Sequence, residues 1–356
     1  MLHLGAPIIS ASIAVAEKEK VSANDFMLGI VVGYEAAIRL ACAIQPDCKL
    51  KGYHATGVCG TIGVAMAVAK MLHFDSEQMK SAFSAAVTSS AGVLEMIEGD
   101  TELKPYNVGR AALDGVVSAY IGKARFKAPE DALGGKRGFL KVFSNEPKVQ
   151  YLNDFSGGHF MIEQIYQKPY AACRHCHAPI EAALRIRELG VDFHNVDKIE
   201  VETYKLAVEG HDHTSIVGIN SAKMSIPYSV AAALTLGYAD INAFEEKNVV
   251  NSDILSLAAK IHVSERNDFS TLCPQKRIAL VRVFTKNGEV IERQVDYPKG
   301  EPENPMTDDD LKQKFMSLAM SAGVKSETCE YVMQQVLDSD FSIGEIVSAL
   351  NKEVLC

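Results

Sequence analysis

The chain has 356 residues, 47% hydrophobic and 23% charged, a globular balance with room for one large domain or two ordinary ones. Its formal net charge of −9 argues against a nucleic-acid backbone as partner, which needs a basic face. A small anionic ligand remains compatible, because a few local cations outweigh a distant field. Eight cysteines (Cys42, Cys48, Cys59, Cys173, Cys176, Cys273, Cys329 and Cys356) follow no framework spacing and read as reduced thiols of a cytoplasmic protein. Met1 to Val15 is apolar but has no basic leader region and contains Pro7, and no segment reaches 18 uninterrupted apolar residues. Neither a signal peptide nor a membrane span is expected.

In chain order, the first 145 or so residues read as helices. Ser22-Ala23-Asn24-Asp25 resembles a capping box ahead of the apolar run Phe26 to Ile44. Gly57 to Leu72 is rich in Ala, Gly and Val, a composition that lets helices pack closely. Asp75-Ser76-Glu77 opens another helix through Val93, and Val108 to Phe126 gives a further small-residue helix. Near Val149 the character changes. His159 to Gln167 and Lys198 to Val208 have strand length, and Ile278 to Phe284 with Val290 to Val295 reads as a hairpin around Lys286-Asn287-Gly288. Asn-Gly there predicts a type I′ turn. Helices are expected at His177 to Leu189 and Ser221 to Leu236. Residues 150 to 300 therefore read as an α+β domain with an antiparallel sheet. After the Pro/Gly loop Gly300 to Pro305, Thr307-Asp308-Asp309-Asp310 caps a last helical stretch.

Four segments could carry chemistry. His54 sits between glycines just before a helix, where free N–H groups favour anions, although a packed histidine in a tight turn fits the same pattern. Lys104, before Pro105, could hold a carboxylate or be a solvated surface lysine. Lys168 to His177 is the densest polar group, and its pair Cys173 and Cys176 with His175 and His177 invites a zinc reading. No second Cys/His pair follows at finger spacing, and no thioredoxin-like pattern supports a redox pair. The alternative is a polar loop aiming His177 into a cleft. His211-Asp212-His213 could also be a metal pair, although in a loop between elements it reads more readily as a solvated polar turn. Tyr228, on an apolar helix, either packs with one hydrogen bond or acts as a general acid.

Read together, six segments resemble one family. His3 to Ala11 is similar to its "HPGAPVIPAALA" stretch, Ile30 to Glu35 to "AIVAGYEV" and Gly52 to Gly63 to "GFHPTGTCGTFG". Lys104 to Ala112 is similar to "KPLHIGNAA", Lys168 to Ala178 to "KPYPACRHTHA" and Gly300 to Pro305 to "GDPENPMS". By these the chain is identified as a member of the MmgE/PrpD family, which includes 2-methylcitrate dehydratases, cis-aconitate decarboxylases and an iminodisuccinate epimerase. The resemblance implies a large all-α domain (1–148 and 303–356) completed by the C-terminal helices, plus a smaller α+β lid domain (149–302). It implies His54, Lys104, His177 and Tyr228 as catalytic residues, and His3, Lys104 and Lys168 as substrate-binding residues. It further implies a homodimer acting on a small carboxylate with neither metal nor organic cofactor, and no nucleic-acid or membrane partner.

Departures from the family pattern shape the functional expectation. Leu4 and Ala171 stand where the family has Pro, and Asn107-Val108-Gly109 replaces "HIG". The family's "H-x-x-D-x-D-D-T" stretch lies upstream of the residue matched by His3, so this chain reads as lacking an N-terminal segment. The expected activity is general acid/base dehydration of a 2-methylcitrate-like acid. The alternatives are decarboxylation of a cis-aconitate-like acid, epimerisation, and an inactive subunit completed by a separate chain that supplies the missing segment and covers an exposed apolar face.

Overall fold

A computed structural model describes residues 2–97, 103–153 and 158–354. The chain divides into two compact units, Met1–Gln164 with Glu330–Cys356, and Ile165–Cys329.

The first unit is helical: α1 (Gly5–Glu19), α2 (Ala23–Ile44), α3 (Ala55–Met71), α4 (Ser76–Ser89) and α5 (Leu103–Lys123). The sequence sets their starts. Ser22 accepts the Asp25 amide at the head of α2. Asp75 and Gln78 form a full capping box on α4, the reciprocal arrangement that satisfies two otherwise unbonded N–H groups. Helix α3 is the centre of the unit: nearly every residue from Ala55 to Met71 is buried, with α2, α4, α5 and α1 against it. Its small residues are the reason this works. A Cβ on Gly33 of α2 would lie 2.7 Å from the Gly63 carbonyl oxygen of α3, and a Cβ on Gly63 would lie 2.8 Å from the Gly33 carbonyl oxygen. The two backbones meet where neither helix carries a side chain. Helix α2 is long and apolar enough to cross a membrane, but much of it faces α3 in this packing. On α5, Tyr106, Leu113 and Val117 are exposed and share one stripe by their spacing.

In the second unit, α6 (His177–Arg187), α7 (Ile219–Met224) and α8 (Ile226–Leu236) accompany β1 (Val196–Thr203), β2 (Ile261–Glu265), β3 (Ala279–Thr285) and β4 (Val290–Val295). The strand order is β2-β1-β3-β4. The α and α+β fold class expected from sequence holds, but the sheet is mixed rather than antiparallel. Strand β2 runs parallel to β1, pairing Ile199 with Ile261 and Val201 with Val263. Helices α6 and α8 pack together, and α6 also lies against β3 and β4. The buried strand positions Ile199, Val201, Val281 and Val283 share one core with Ile180, Ile186 and Leu234 of these helices.

Several local expectations change. His159 to Gln167 contains a 3₁₀ turn, Met161–Gln164, in place of a strand. The Ser221 to Leu236 helix is broken at Ser225, whose hydroxyl caps α8 by accepting the Tyr228 amide. The hairpin joins β3 to β4 as expected, but not through a type I′ turn. Only Gly288 has positive φ (84°), and Thr285 and Glu289 close a three-residue loop, the geometry of a turn followed by a glycine bulge. Thr307 and Asp310 form a capping box on α9 (Asp308–Ser321), which belongs to the second unit. The unit boundary falls within α10 (Ser326–Leu337), and α11 (Ile343–Val354) rejoins the first unit, in contact with α1.

Candidate active-site residues

In the first unit, His54 is the residue just before α3. Its amide donates to the Gly92 carbonyl (3.0 Å), and its own carbonyl accepts the Val58 amide (3.1 Å), the first bond of the helix. The His54 side chain does not cap the head of α3, so among the described residues its first N–H groups are open to an anion. The imidazole is buried, 7% exposed, and its Nδ1 lies 2.7 Å from Asn107 Oδ1. An amide oxygen only accepts, so this contact places the proton on Nδ1 and leaves Nε2 with a free lone pair. Burial lowers the pKa of His54, the Asn107 bond partly opposes this, and the charge of Lys104 lowers it further. The ring is therefore neutral at neutral pH and poised to take a proton.

In the sequence Asn107 marks only the loss of an imidazole from the family pattern. Its side chain is wedged between two glycines: a Cβ on Gly57 would collide with its Oδ1, and a Cβ on Gly92, whose φ is 139°, would sit 2.8 Å from the same atom. Gly57 lies in the glycine-flanked segment of His54, but the second wall, Gly92, is distant in sequence. Lys104 and Asn107 are three residues apart on α5, so they share a helix face. Lys104 lies inside the helix, not before it as expected, and is exposed. The His3 amide donates to Thr56 Oγ1 (3.1 Å) in the first turn of α3. Within this unit the structure thus gathers His3, His54 and Lys104 around the heads of α3 and α5.

In the second unit, the segment from Lys168 leads through the 3₁₀ turn Arg174–Cys176 into α6. His177 is 1% exposed, stacks edge-on against Tyr170 (5.3 Å between centroids) and has Nε2 3.4 Å from the Ala172 carbonyl oxygen. Lys168 Nζ donates to that same oxygen (3.3 Å). Burial drives the His177 pKa well below the usual range, and Arg174 and Lys168 push it the same way. Lys168 and Tyr170 also line a cavity of about 430 Å³ with Lys299, Asp310 and Lys314. Lys299 and Asp310 are paired across 2.8 Å. Lys299 is not among the residues that the sequence points to, although it adjoins the Gly300 to Pro305 segment. Beneath the segment, Arg174 is fully buried, ion-paired to Glu301 and 4.9 Å from the Tyr166 ring centroid.

Tyr228 is fully buried, and its hydroxyl donates to the Ala243 carbonyl (2.8 Å). Burial pushes its pKa to about 12. Its proton is committed to a structural bond in this state of the protein.

The buried neutral histidine makes a stability prediction. A histidine whose pKa is lowered by folding binds fewer protons folded than unfolded, so stability falls as pH drops below about 6.5, the unfolded value. The melting temperature is expected to decline on acidification below that point. His177→Asn should flatten the decline. An unchanged slope in that variant would show that His177 carries none of it.

The MmgE/PrpD N-terminal domain model matches residues 1–152 and the MmgE/PrpD C-terminal domain model matches 170–339. The chain belongs to the MmgE/PrpD family. Among its curated relatives, the cis-aconitate decarboxylase-like protein oryM of Aspergillus oryzae is 28% identical, over 99% of this chain and 79% of its own length. Cis-aconitate decarboxylase of Aspergillus terreus is 27% identical over 92% of this chain and 73% of its own length. The human cis-aconitate decarboxylase is 25% identical over 88% and 66%.

Proposed function

We propose that the protein is a lyase acting on a small di- or tricarboxylate, and that His54 is its proton carrier. The observation behind this is the His54–Asn107 pair: a buried, neutral imidazole of fixed tautomer beside a lysine and an uncapped helix start. Lysis beside a carboxylate builds negative charge on that carboxylate, and fixed cations and N–H groups stabilise this charge most in the transition state. Lys104 and the head of α3 supply such groups.

Two reactions use this arrangement. In decarboxylation, the C–C bond to the departing carboxylate breaks, its electron pair delocalises towards a neighbouring carboxylate, and a proton from an acid completes the product. In dehydration, a base removes the proton beside the carboxylate and an acid protonates the leaving hydroxyl. The names of the relatives favour decarboxylation of a cis-aconitate-like acid over the 2-methylcitrate dehydration expected from sequence. The neutral state of His54 favours the dehydration reading, because a free Nε2 takes a proton before it gives one. A bound polyanion would raise the pKa of His54 and equip it for the donor role that decarboxylation needs.

Purified protein incubated separately with cis-aconitate and 2-methylcitrate, followed by proton NMR and by release of CO2, separates the two. Decarboxylation is expected to release one CO2 per cis-aconitate consumed. Water loss from 2-methylcitrate without CO2 would replace it by dehydration, and inertness of both acids would remove both readings.

A further inference from the structure

We propose that Cys173, His175 and His211 form a binding site for a thiophilic divalent transition-metal ion, with Zn²⁺ the natural occupant. The three side chains come from two separate segments of the second unit, and one ligand-type atom from each lies within 4.8 Å of the others. Cys173 Sγ is 3.3 Å from His211 Nε2. Around a tetrahedral zinc with bonds of about 2.3 Å to sulfur and 2.0–2.1 Å to nitrogen, donor atoms stand roughly 3.5 Å apart. One edge of the site is therefore already at ligand spacing, and the remaining contraction is about 1 Å.

The surroundings orient the donors. His211 Nδ1 lies 3.0 Å from the Glu209 carbonyl oxygen. A carbonyl only accepts, so Nδ1 carries the proton and the Nε2 lone pair faces the sulfur. Histidine ligands are commonly fixed in this way by a second hydrogen bond on the other nitrogen. His175 has its own anchor, Nδ1 at 2.6 Å from the Tyr204 hydroxyl, and its ring stands 4.8 Å from that of His211. The Cys173 amide donates to the Lys223 carbonyl (2.7 Å), which fixes the backbone from which the thiol projects. His211 is buried, while Cys173 and His175 are half-buried, so an ion can reach the site and a water can fill a fourth position.

This donor set is not the one the sequence offered. Cys176, the second half of the Cys-x-x-Cys pair, is fully buried and stands outside the group. Its place is taken by His211, from beyond β1. Two imidazoles and a thiolate suit zinc or copper and exclude magnesium and calcium, which take oxygen donors.

The test uses the full chain stripped with a chelator and titrated with Zn²⁺ against a chromophoric competitor, and separately with Co²⁺ as a spectroscopic stand-in. One equivalent of Zn²⁺ should bind, and Co²⁺ should give a thiolate-to-metal charge-transfer band. Cys173→Ser should abolish that band, and His211→Gln should weaken Zn²⁺ binding on the order of 100-fold or more, beyond what loss of a supporting bond causes. Cys273→Ser should leave both unchanged. If either site variant fails to fold, the wild-type cobalt spectrum decides alone. Absence of the thiolate band, its survival in Cys173→Ser, or lack of stoichiometric Zn²⁺ binding would overturn the site.

Discussion

Replacing His54 with alanine is expected to lower turnover of the carboxylate substrate by about 10²- to 10⁴-fold, the range that a positioned acid–base group supplies. The loss should fall on kcat more than on KM, because the proton transfer is made in the transition state, whereas the proposed anion holders, Lys104 and the head of α3, would act in the ground state as well. The fold should survive. His54 contributes to α3 through its backbone, which accepts the Val58 amide and donates to Gly92, and alanine keeps both bonds. Lys104→Met should behave differently: it removes the cation proposed to bind the anion and is expected to raise KM as well as lower kcat. Equal, full activity of His54→Ala and wild type would remove His54 from the mechanism.

The largest expected effect on stability comes from Gly63→Val. An added Cβ meets the Gly33 carbonyl oxygen at 2.8 Å, the Ala37 Cβ at 2.9 Å and Ile8 Cδ1 at 2.9 Å. Two of these belong to α2, whose backbone cannot move without disturbing its packing along α3. Inserting carbon into a closed core costs typically 1–3 kcal/mol and occasionally more, and the γ-methyls of valine put this site at about 3 kcal/mol. The gain in helix propensity over glycine, below about 1 kcal/mol, does not offset it. For a chain of this size the melting temperature should fall by roughly 5–10 °C. Gly109→Ala is the contrast. Among the described residues no heavy atom lies within 4 Å of a Cβ there, so only the propensity gain of about 1 kcal/mol acts, and the melting temperature should hold or rise. A Gly63→Val protein as stable as wild type would mean that the α2–α3 contact is looser than the close approach of the two glycines requires.

What could be read from the sequence follows the range of the forces involved. Helix starts were legible because a cap is local: Ser22 with Asp25, Asp75 with Gln78 and Thr307 with Asp310 sit within one turn. The hairpin was legible from alternation and a Gly-containing turn, although its turn type depends on which of Asn287 and Gly288 adopts positive φ. Strand β2 was not legible. It is five residues long, and its pairing with β1 is parallel across some sixty residues of chain, a non-local contact with no turn signal. The same limit governs the candidate sites. His54 and Lys104 could be picked out by family resemblance, but Asn107 looked like a loss until Gly57 and Gly92 were seen to enclose it against His54. The pairing of Cys173 with Cys176 looked natural in sequence, whereas the fold directs Cys176 into the core and brings His211 to Cys173.

The central claim is that His54, kept neutral by burial and oriented by Asn107, carries the proton. The pH profile of kcat/KM in wild type and in Asn107→Asp tests it most directly, because that profile reports the free enzyme's ionisations. In wild type the limb set by His54, alkaline where it gives the proton in decarboxylation and acid where it takes one in dehydration, should lie below the ordinary histidine value of about 6.5, since the pKa of His54 is lowered. A carboxylate at position 107 stabilises the imidazolium, so the limb should move up by about one pH unit or more. A His54 limb that stays in place in Asn107→Asp, with the rate otherwise unchanged, would contradict the assignment.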